Sequence, residues 1–154
     1  MARVQQDHSG FELILANRLH IKELLADGEF TGWTKTFTVG ETIIFGDACY
    51  FKAVDSRMWK ADADQDTTMP CVGLSCGGYS AGNAGEFLLW GFMREDNWGY
   101  TVGADLWVVC AVPSPCPLTE TAPAGAGDQR QNCGIAETAD IIYFNPSFVL
   151  AQVA

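Results

Sequence analysis

From Trp33 to the C-terminus the chain is a series of short apolar runs separated by glycine, proline, asparagine and aspartate. The runs are rich in β-branched and aromatic residues, which fit a pleated sheet, and the residues between them favour tight turns, as at Asp55-Ser56. This spacing is typical of an antiparallel β-sandwich or barrel, so the sequence predicts a mainly β protein of that kind. The predicted strands lie near residues 34–38, 42–45, 48–53, 57–61, 70–75, 85–92, 105–110, 117–121, 131–136 and 140–144.

The segment before Trp33 has a different pattern, which predicts a helix over residues 9–28. Ser9-Gly10-Phe11-Glu12 matches a capping box, and Asp27-Gly28 supplies a C-terminal stop. The apolar residues at helical spacing are Phe11, Leu15 and Leu19, and a second apolar stripe comprises Ile14, Ile21, Leu24 and Leu25.

This predicted helix is apolar on more than one side, which is more than a helix on a single domain surface needs. Three interpretations stay open: the helix packs on its own sheet, it docks on a partner, or the segment is an arm that orders only on assembly. The predicted domains are an N-terminal helix or arm over residues 1–32 and a β domain over residues 33–154. If the helix docks on a partner, the candidate interface residues are Phe11, Leu15 and Leu19.

The net charge of −10 and the isoelectric point near 4.4 would repel a phosphate backbone, so we expect no nucleic-acid partner. The N-terminus lacks the layout of a secretory signal, and no apolar run approaches the roughly 20 residues of a membrane span. We therefore expect a soluble protein made in a cytosol, with no membrane partner. Its six cysteines form no C-x-x-C pair, and we expect buried free thiols in preference to disulfides or a metal site.

The sequence offers little for catalysis, and we expect no enzyme, no catalytic residue and no cofactor. His8 and His20, the only histidines, lie in the N-terminal segment, away from any nucleophile of the β domain. A hydrolase built on two carboxylates such as Glu86 and Glu95 is the remaining enzymatic alternative.

The loop Asp62-Ala63-Asp64-Gln65-Asp66 has the alternating carboxylates that could gather around a hard cation. It does not match an EF-hand loop, because Thr67 stands where the sixth position needs glycine and Gly73 where the twelfth needs glutamate. We therefore predict that this loop is a solvated acidic turn and not a metal site.

The five tryptophans are many large side chains for one small core. Core positions are expected for Trp59, Trp90 and Trp107. Trp98 and Tyr100 flank Gly99 behind a charged stretch, which is typical of a loop tip suited to protein contact, so both are candidate interface residues. A sugar-stacking surface is the alternative for this pair.

The C-terminal half resembles a β domain of small virion proteins of tailed bacteriophages, and the region upstream is similar to capsid decoration proteins of the β-tulip type. The resemblance rests on Gly91-Phe92-Met93-Arg94, Asp96-Asn97-Trp98, Thr101-Val102-Gly103, Leu118-Thr119, Thr121-Ala122-Pro123, Gly125, Gly127-Asp128-Gln129, Gly134-Ile135-Ala136 and Ala139-Asp140-Ile141-Ile142-Tyr143-Phe144-Asn145-Pro146-Ser147, with Gly46-Asp47-Ala48, Lys60-Ala61-Asp62-Ala63 and Val72-Gly73-Leu74 upstream.

This resemblance implies a β-tulip-like domain that acts as a capsid decoration or cement protein. Such a protein binds and stabilises the lattice of the major capsid protein, typically as a homotrimer on the capsid surface of the virion. A receptor-binding or glycan-binding module of a head fibre or tail is the alternative. The six cysteines and the apolar N-terminal segment depart from the usual pattern of the family, so the mode of attachment stays open.

Overall fold

The computed structural model describes residues 3–5, 11–14, 18–21, 25–110 and 117–154, and only the backbone of the strands before residue 21. The described chain is mainly β and its strands pair antiparallel, which confirms the predicted fold class. The strands are β1 (Arg3–Gln5), β2 (Phe11–Ile14), β3 (Arg18–Ile21), β4 (Phe30–Thr38), β5 (Ala48–Lys52), β6 (Arg57–Lys60), β7 (Gly73–Ser75), β8 (Ala84–Arg94), β9 (Asp105–Trp107), β10 (Gln129–Arg130), β11 (Asn132–Ala136), β12 (Ile141–Phe144) and β13 (Ala151–Gln152).

An eight-stranded sheet forms the body of the molecule and curls into a half-barrel. Its strand order is β6-β5-β7-β8-β12-β11-β9, and β4 pairs with β8 outside this path. The 11-residue strand β8 pairs with β4 along one edge, and with β7 and then β12 along the other. β10 and β13 form a separate two-stranded sheet.

A row of glycines crosses the large sheet. Gly32 lies opposite Gly91, Gly91 opposite Phe144, and Phe144 opposite Gly134. The three glycines have φ angles of 146°, 144° and 145°, which side chains rarely adopt. A β-carbon at any of them would overlap a carbonyl group of the neighbouring strand. The row lets the strands approach closely at this line, as glycine kinks do in curved sheets.

Apolar side chains are buried on both sides of β8. The larger core cluster includes Leu88, Met93 and Phe144, and the smaller one contains Phe87 with Met58. Phe87 and Leu88 are consecutive, so the centre of β8 is covered on both faces. Cys49, Cys71 and Cys133 are buried, Cys76 and Cys110 are partly buried, and none of these five described cysteines forms a disulfide.

A buried glutamine joins three segments of the larger core. The Gln131 side chain accepts a hydrogen bond from the Cys71 N–H at 2.7 Å and donates to the Cys71 carbonyl oxygen at 2.8 Å. It also donates to the Ser147 carbonyl oxygen at 2.7 Å. Gln131 therefore satisfies main-chain groups that no strand ladder reaches.

Most predicted strands of the β domain are confirmed, with shifts of a few residues at their ends. The strands predicted near 42–45 and 117–121 are wrong, because each is reduced to a single bridge, Ile43 to Tyr79 and Thr119 to Trp107. Gly46, at a φ of 80°, turns the chain directly after the first of these. The turn at Asp55-Ser56 is confirmed between β5 and β6, where the Asp55 carboxylate accepts the Arg57 N–H.

The helix predicted over residues 9–28 is wrong wherever the structure describes that segment. Phe11–Ile14 and Arg18–Ile21 are antiparallel strands, and with Arg3–Gln5 they form a three-stranded sheet. Arg18-Leu19-His20-Ile21 alternates polar and apolar residues, so a period of two competes with the helical spacing, and β-branched Ile14 and Ile21 favour the strand.

The β domain extends to the N-terminal side of the boundary predicted between residues 32 and 33. β4 begins at Phe30 and runs through that boundary. Further upstream, the Leu25 carbonyl oxygen accepts a hydrogen bond from the Arg94 guanidinium at 2.8 Å, and the Asp27 carboxylate accepts one from the Asp96 N–H at 2.9 Å. Residues from Leu25 onward are therefore tied to the end of β8.

Candidate functional site

An aromatic patch, composed of Trp33, Trp90, Phe92 and Tyr143, covers part of the outer face of the large sheet. Side chains alternate between the two faces of a strand. Met93 and Ile142 point into the larger core, so Phe92 and Tyr143, their neighbours in sequence, lie on the opposite face. The register places Trp33 opposite Trp90, and Phe92 opposite Tyr143.

The rings of the aromatic patch hold one another in place. Trp33 and Trp90 have ring centroids 5.4 Å apart, and Trp90 meets Tyr143 edge-on at 5.9 Å. Phe92 and Tyr143 are 5.0 Å apart. The Trp90 indole N–H donates a hydrogen bond of 2.9 Å to the Tyr143 hydroxyl. The patch is therefore an ordered surface on three neighbouring strands.

Exposure in the patch is concentrated at Trp33, whose side chain is 61% exposed. The other three aromatics are partly buried, and Ile135, opposite Tyr143 on β11, is exposed at the far side. A contiguous apolar surface of this kind on a folded domain marks a binding site more often than isolated apolar residues do. The patch is the best candidate functional site of the described chain.

The apolar surface continues along β4 beyond Trp33. Lys35 and Phe37 follow at alternate positions and so lie on the same face. The Lys35 ammonium lies 5.2 Å from the centroid of the Phe37 ring, and Phe37 meets the exposed ring of Phe51 edge-on at 4.8 Å. The positive charge of Lys35 therefore lies between Trp33 and Phe37 along this face of β4.

The candidate interface residues Trp98 and Tyr100 fold back onto the larger core and do not form a projecting tip. Both are partly buried, and their ring centroids are 5.6 Å apart. The Tyr100 hydroxyl donates to the Leu118 carbonyl oxygen at 2.7 Å, and burial raises its pKa above the usual value. A β-carbon added at Gly46 would contact the Trp98 ring at 3.0 Å. These contacts give the pair a role in packing.

The other three candidate interface residues belong to the N-terminal segment. Phe11 lies at the start of β2 and Leu19 in β3, where the backbone alone is described. Leu15 lies outside the described residues. A contact role for these residues stays a prediction.

The acidic loop meets a cysteine and a second carboxylate. Ligand atoms of Asp64, Cys110 and Asp128 lie within 4.8 Å of one another. The Cys110 thiol donates to the Asp128 carboxylate at 3.5 Å. Burial, together with hydrogen bonds to both carboxylates, raises the pKa of the Cys110 thiol to about 12. The thiol is therefore neutral at physiological pH in the metal-free protein, and a metal bound there would have to displace its proton.

Glu86 and Glu95, the pair named for the two-carboxylate alternative, lie too far apart along β8 for paired glycosidase carboxylates. Glu86 lies near the start of β8, where its carboxylate accepts a hydrogen bond from the Thr34 hydroxyl at 2.6 Å, and Glu95 follows the end of the strand. Nine residues of extended strand separate such positions by about 30 Å. Paired glycosidase carboxylates lie within about 10 Å of each other.

Sequence reasoning did not select Trp33 and Tyr143, the outermost residues of the patch. The signal for Trp33 is its place in Trp33-Thr34-Lys35-Thr36-Phe37, where threonines alternate with Trp33, Lys35 and Phe37 along a single strand. The grouping with Trp90 and Tyr143 depends on the pairing of β4, β8 and β12, which residues distant in sequence determine.

In the part of the chain that the structure describes, no helix has the length and apolar character needed to cross a membrane. Comparison with protein-family models, with curated proteins and with solved structures found no match to this chain.

Proposed function

We propose that this chain is a structural virion protein of the capsid decoration or cement type, which binds the assembled major capsid protein through the aromatic patch and acts as a homotrimer. The observation that carries the proposal is the exposed Trp33 ring, held against Trp90 at the edge of an ordered aromatic surface. The resemblance of the sequence to small virion proteins of tailed bacteriophages supplies the partner.

Physical arguments support an aromatic contact with a protein lattice. Tryptophan, tyrosine and arginine dominate the binding energy of protein interfaces, and lysine and acidic residues are depleted at their centres. In a trimer, three patches would engage neighbouring capsid subunits together, so modest individual contacts would add up to tight binding. The net charge of −10 would keep neighbouring copies from aggregating and from binding the packaged nucleic acid.

The test is co-sedimentation of the purified protein with capsids of its own virus. We expect the wild-type protein to pellet with capsids, and Trp33→Ala to weaken binding by about 30-fold, the loss usual for an interface hot spot. Phe148→Ala is the matched control, because Phe148 is also an exposed aromatic residue, 71% exposed, and lies outside the patch. Light scattering of the same sample gives the mass of the oligomer.

Two results would count against the proposal. A wild-type protein that stays in the supernatant at all capsid concentrations excludes a decoration role. Equal losses for Trp33→Ala and Phe148→Ala would show that the patch is not the contact surface.

A second candidate function, a glycan-binding module of a fibre or tail, is favoured by the same exposed indole. Sugar rings stack on exposed tryptophan faces, and Trp33 offers one beside Trp90, tilted by 46°. A glycan array separates the two functions. Binding to one glycan class that Trp33→Ala abolishes, with no sedimentation on capsids, would support the glycan-binding function over the decoration function.

A further inference from the structure

The outward edge of β4 is unpaired beside the aromatic patch. The Gly40 N–H points away from β8, since it donates to the Met58 carbonyl oxygen at 2.8 Å. Main-chain groups alternate along a strand, so those of Thr36 and Thr34 also point away from β8. Across the described ranges, no strand pairs with this edge between Trp33 and Phe37.

This stretch of β4, which we call the open edge, comprises residues Trp33, Thr34, Lys35, Thr36 and Phe37. Four of the five are exposed, and all but Lys35 are strong strand formers. An exposed edge of this kind is a template for an incoming strand, which would hydrogen-bond to Thr34 and Thr36. The incoming strand would place alternate side chains beside Trp33, Lys35 and Phe37.

A second copy of β4 is a poor occupant of the open edge. Antiparallel self-pairing that used both outward residues would set Thr34 of one copy opposite Thr36 of the other. That register places the two Lys35 side chains directly opposite each other, and like charges so placed are destabilising. The charge of Lys35 instead favours a strand that carries a carboxylate at that position.

We propose that the open edge binds an extended segment of the major capsid protein, the partner in the proposed function. The segment adds to the sheet as an antiparallel strand, with a carboxylate opposite Lys35 and apolar side chains opposite Trp33 and Phe37. The inference rests on the proposed function only for the identity of the partner, and the edge site itself can be tested without capsids.

The first test uses a short peptide with blocked ends, in which threonine and valine alternate around a central glutamate. Titrated into isotope-labelled full-length protein, it should shift the amide resonances of Thr34, Lys35 and Thr36. A peptide with lysine in place of glutamate should bind about threefold more weakly. Lys35→Glu should reverse that order.

The second test removes one outward N–H without touching the ladder to β8. Proline is tolerated on an edge strand where its nitrogen faces solvent, so Thr36→Pro should fold, and Thr36→Ala keeps the N–H while shortening the same side chain. We expect Thr36→Pro to bind the glutamate peptide about tenfold more weakly than Thr36→Ala, the loss of one main-chain hydrogen bond. Matching thermal melts of the two variants confirm that both are folded.

Equal peptide affinity of Thr36→Pro and Thr36→Ala overturns the open-edge site, as does the absence of shifts at millimolar peptide. Capsid sedimentation separates this failure from a failure of the proposed function. If the peptide binds at Thr34 and Thr36 but the wild-type protein ignores capsids, the proposed function fails and the edge site stands. If the wild-type protein and Thr36→Pro pellet equally and the peptide does not bind, only the edge inference fails.

Discussion

Gly32 and Gly91 lie opposite each other in β4 and β8, and neither leaves room for a β-carbon on its partner. A β-carbon on Gly32 would overlap the Trp90 carbonyl group, and one on Gly91 would overlap the Thr31 carbonyl group. Trp33 and Trp90 are the next pair along the same two strands. The close approach that the glycines permit therefore sets the spacing of the two rings at the centre of the aromatic patch.

Gly91→Ala should destabilise the protein by more than about 3 kcal/mol. The substitution combines an unfavourable positive φ, worth about 1–3 kcal/mol, with an overlap against backbone that cannot move without separating β4 from β8. The measurement is the free energy of unfolding from urea titration.

Gly78→Ala is the matched control for Gly91→Ala. A β-carbon there would meet nothing within 4 Å, and Gly78 is absent from the residues with positive φ. We expect this variant to match the wild type or to gain up to about 1 kcal/mol, because alanine restricts the unfolded chain. Similar losses for the two variants would contradict the role given to the glycine row.

Gln131→Leu should cost about 2–5 kcal/mol, because it removes the hydrogen bonds that the Gln131 side chain makes to the buried Cys71 N–H and to the Cys71 and Ser147 carbonyl oxygens. The comparison is Gln65→Leu at an exposed position, where we expect a change below about 0.5 kcal/mol. Urea unfolding of both variants measures the difference. A Gln131→Leu protein as stable as Gln65→Leu would show that the Gln131 hydrogen bonds do not contribute to stability.

The β character of the domain could be predicted because local sequence patterns determine it. Apolar runs such as those of β8 and β12, and turn residues such as Asp55-Ser56, act within a few residues of themselves. The N-terminal segment was misjudged because Phe11, Leu15 and Leu19 satisfy a helical period while Arg18–Ile21 satisfies a period of two. Pairing between β2 and β3 decides between the two periods, and pairing is not a local property.

The candidate site was less accessible to sequence reasoning than the fold. Trp98 beside Gly99 and a charged stretch has the composition of an exposed tip, but burial depends on what the fold brings against it, here Gly46 and Tyr100. Trp33 lies in a plain strand pattern, and its exposure follows from the position of β4 outside the main strand order. Which tryptophan is outside is therefore a property of the strand order.

Alkaline pH should destabilise the fold through its thiols. Burial and the Asp64 and Asp128 carboxylates raise the pKa of Cys110 to about 12, and a hydrogen bond with Cys71, together with burial, raises the pKa of Cys133. Thiols in the unfolded chain have a pKa of about 8.5, so as the pH rises the unfolded state loses protons before the folded state does. The stabilisation from Cys110 is complete below that value and is lost as the pH rises toward 12.

The measurement for this pH dependence is urea unfolding at neutral and alkaline pH under reducing conditions. Cys110→Ser keeps a hydroxyl donor near Asp128 but cannot ionise in this range, so the variant should lose less stability between the two conditions than the wild type. An equal loss in both proteins would exclude a contribution from Cys110.

Truncation of Trp98 should destabilise the fold much more than truncation of Trp33. Trp98→Ala removes a ring packed on the larger core, and we expect it to cost about 2–4 kcal/mol of unfolding free energy. Trp33→Ala removes a ring that is mostly in solvent, and we expect a loss below about 1 kcal/mol, because only its contact with Trp90 disappears.

The same two variants distinguish packing from binding. If Trp33→Ala keeps its stability while capsid or glycan binding is lost, then the exposed ring serves recognition. A loss of stability at Trp33 as large as at Trp98 would mean that the aromatic patch is part of the folded core and not a free surface. If Trp98→Ala has the same unfolding free energy as the wild type, packing does not explain the presence of Trp98 and Tyr100. The pair would then again be the candidate interface residues.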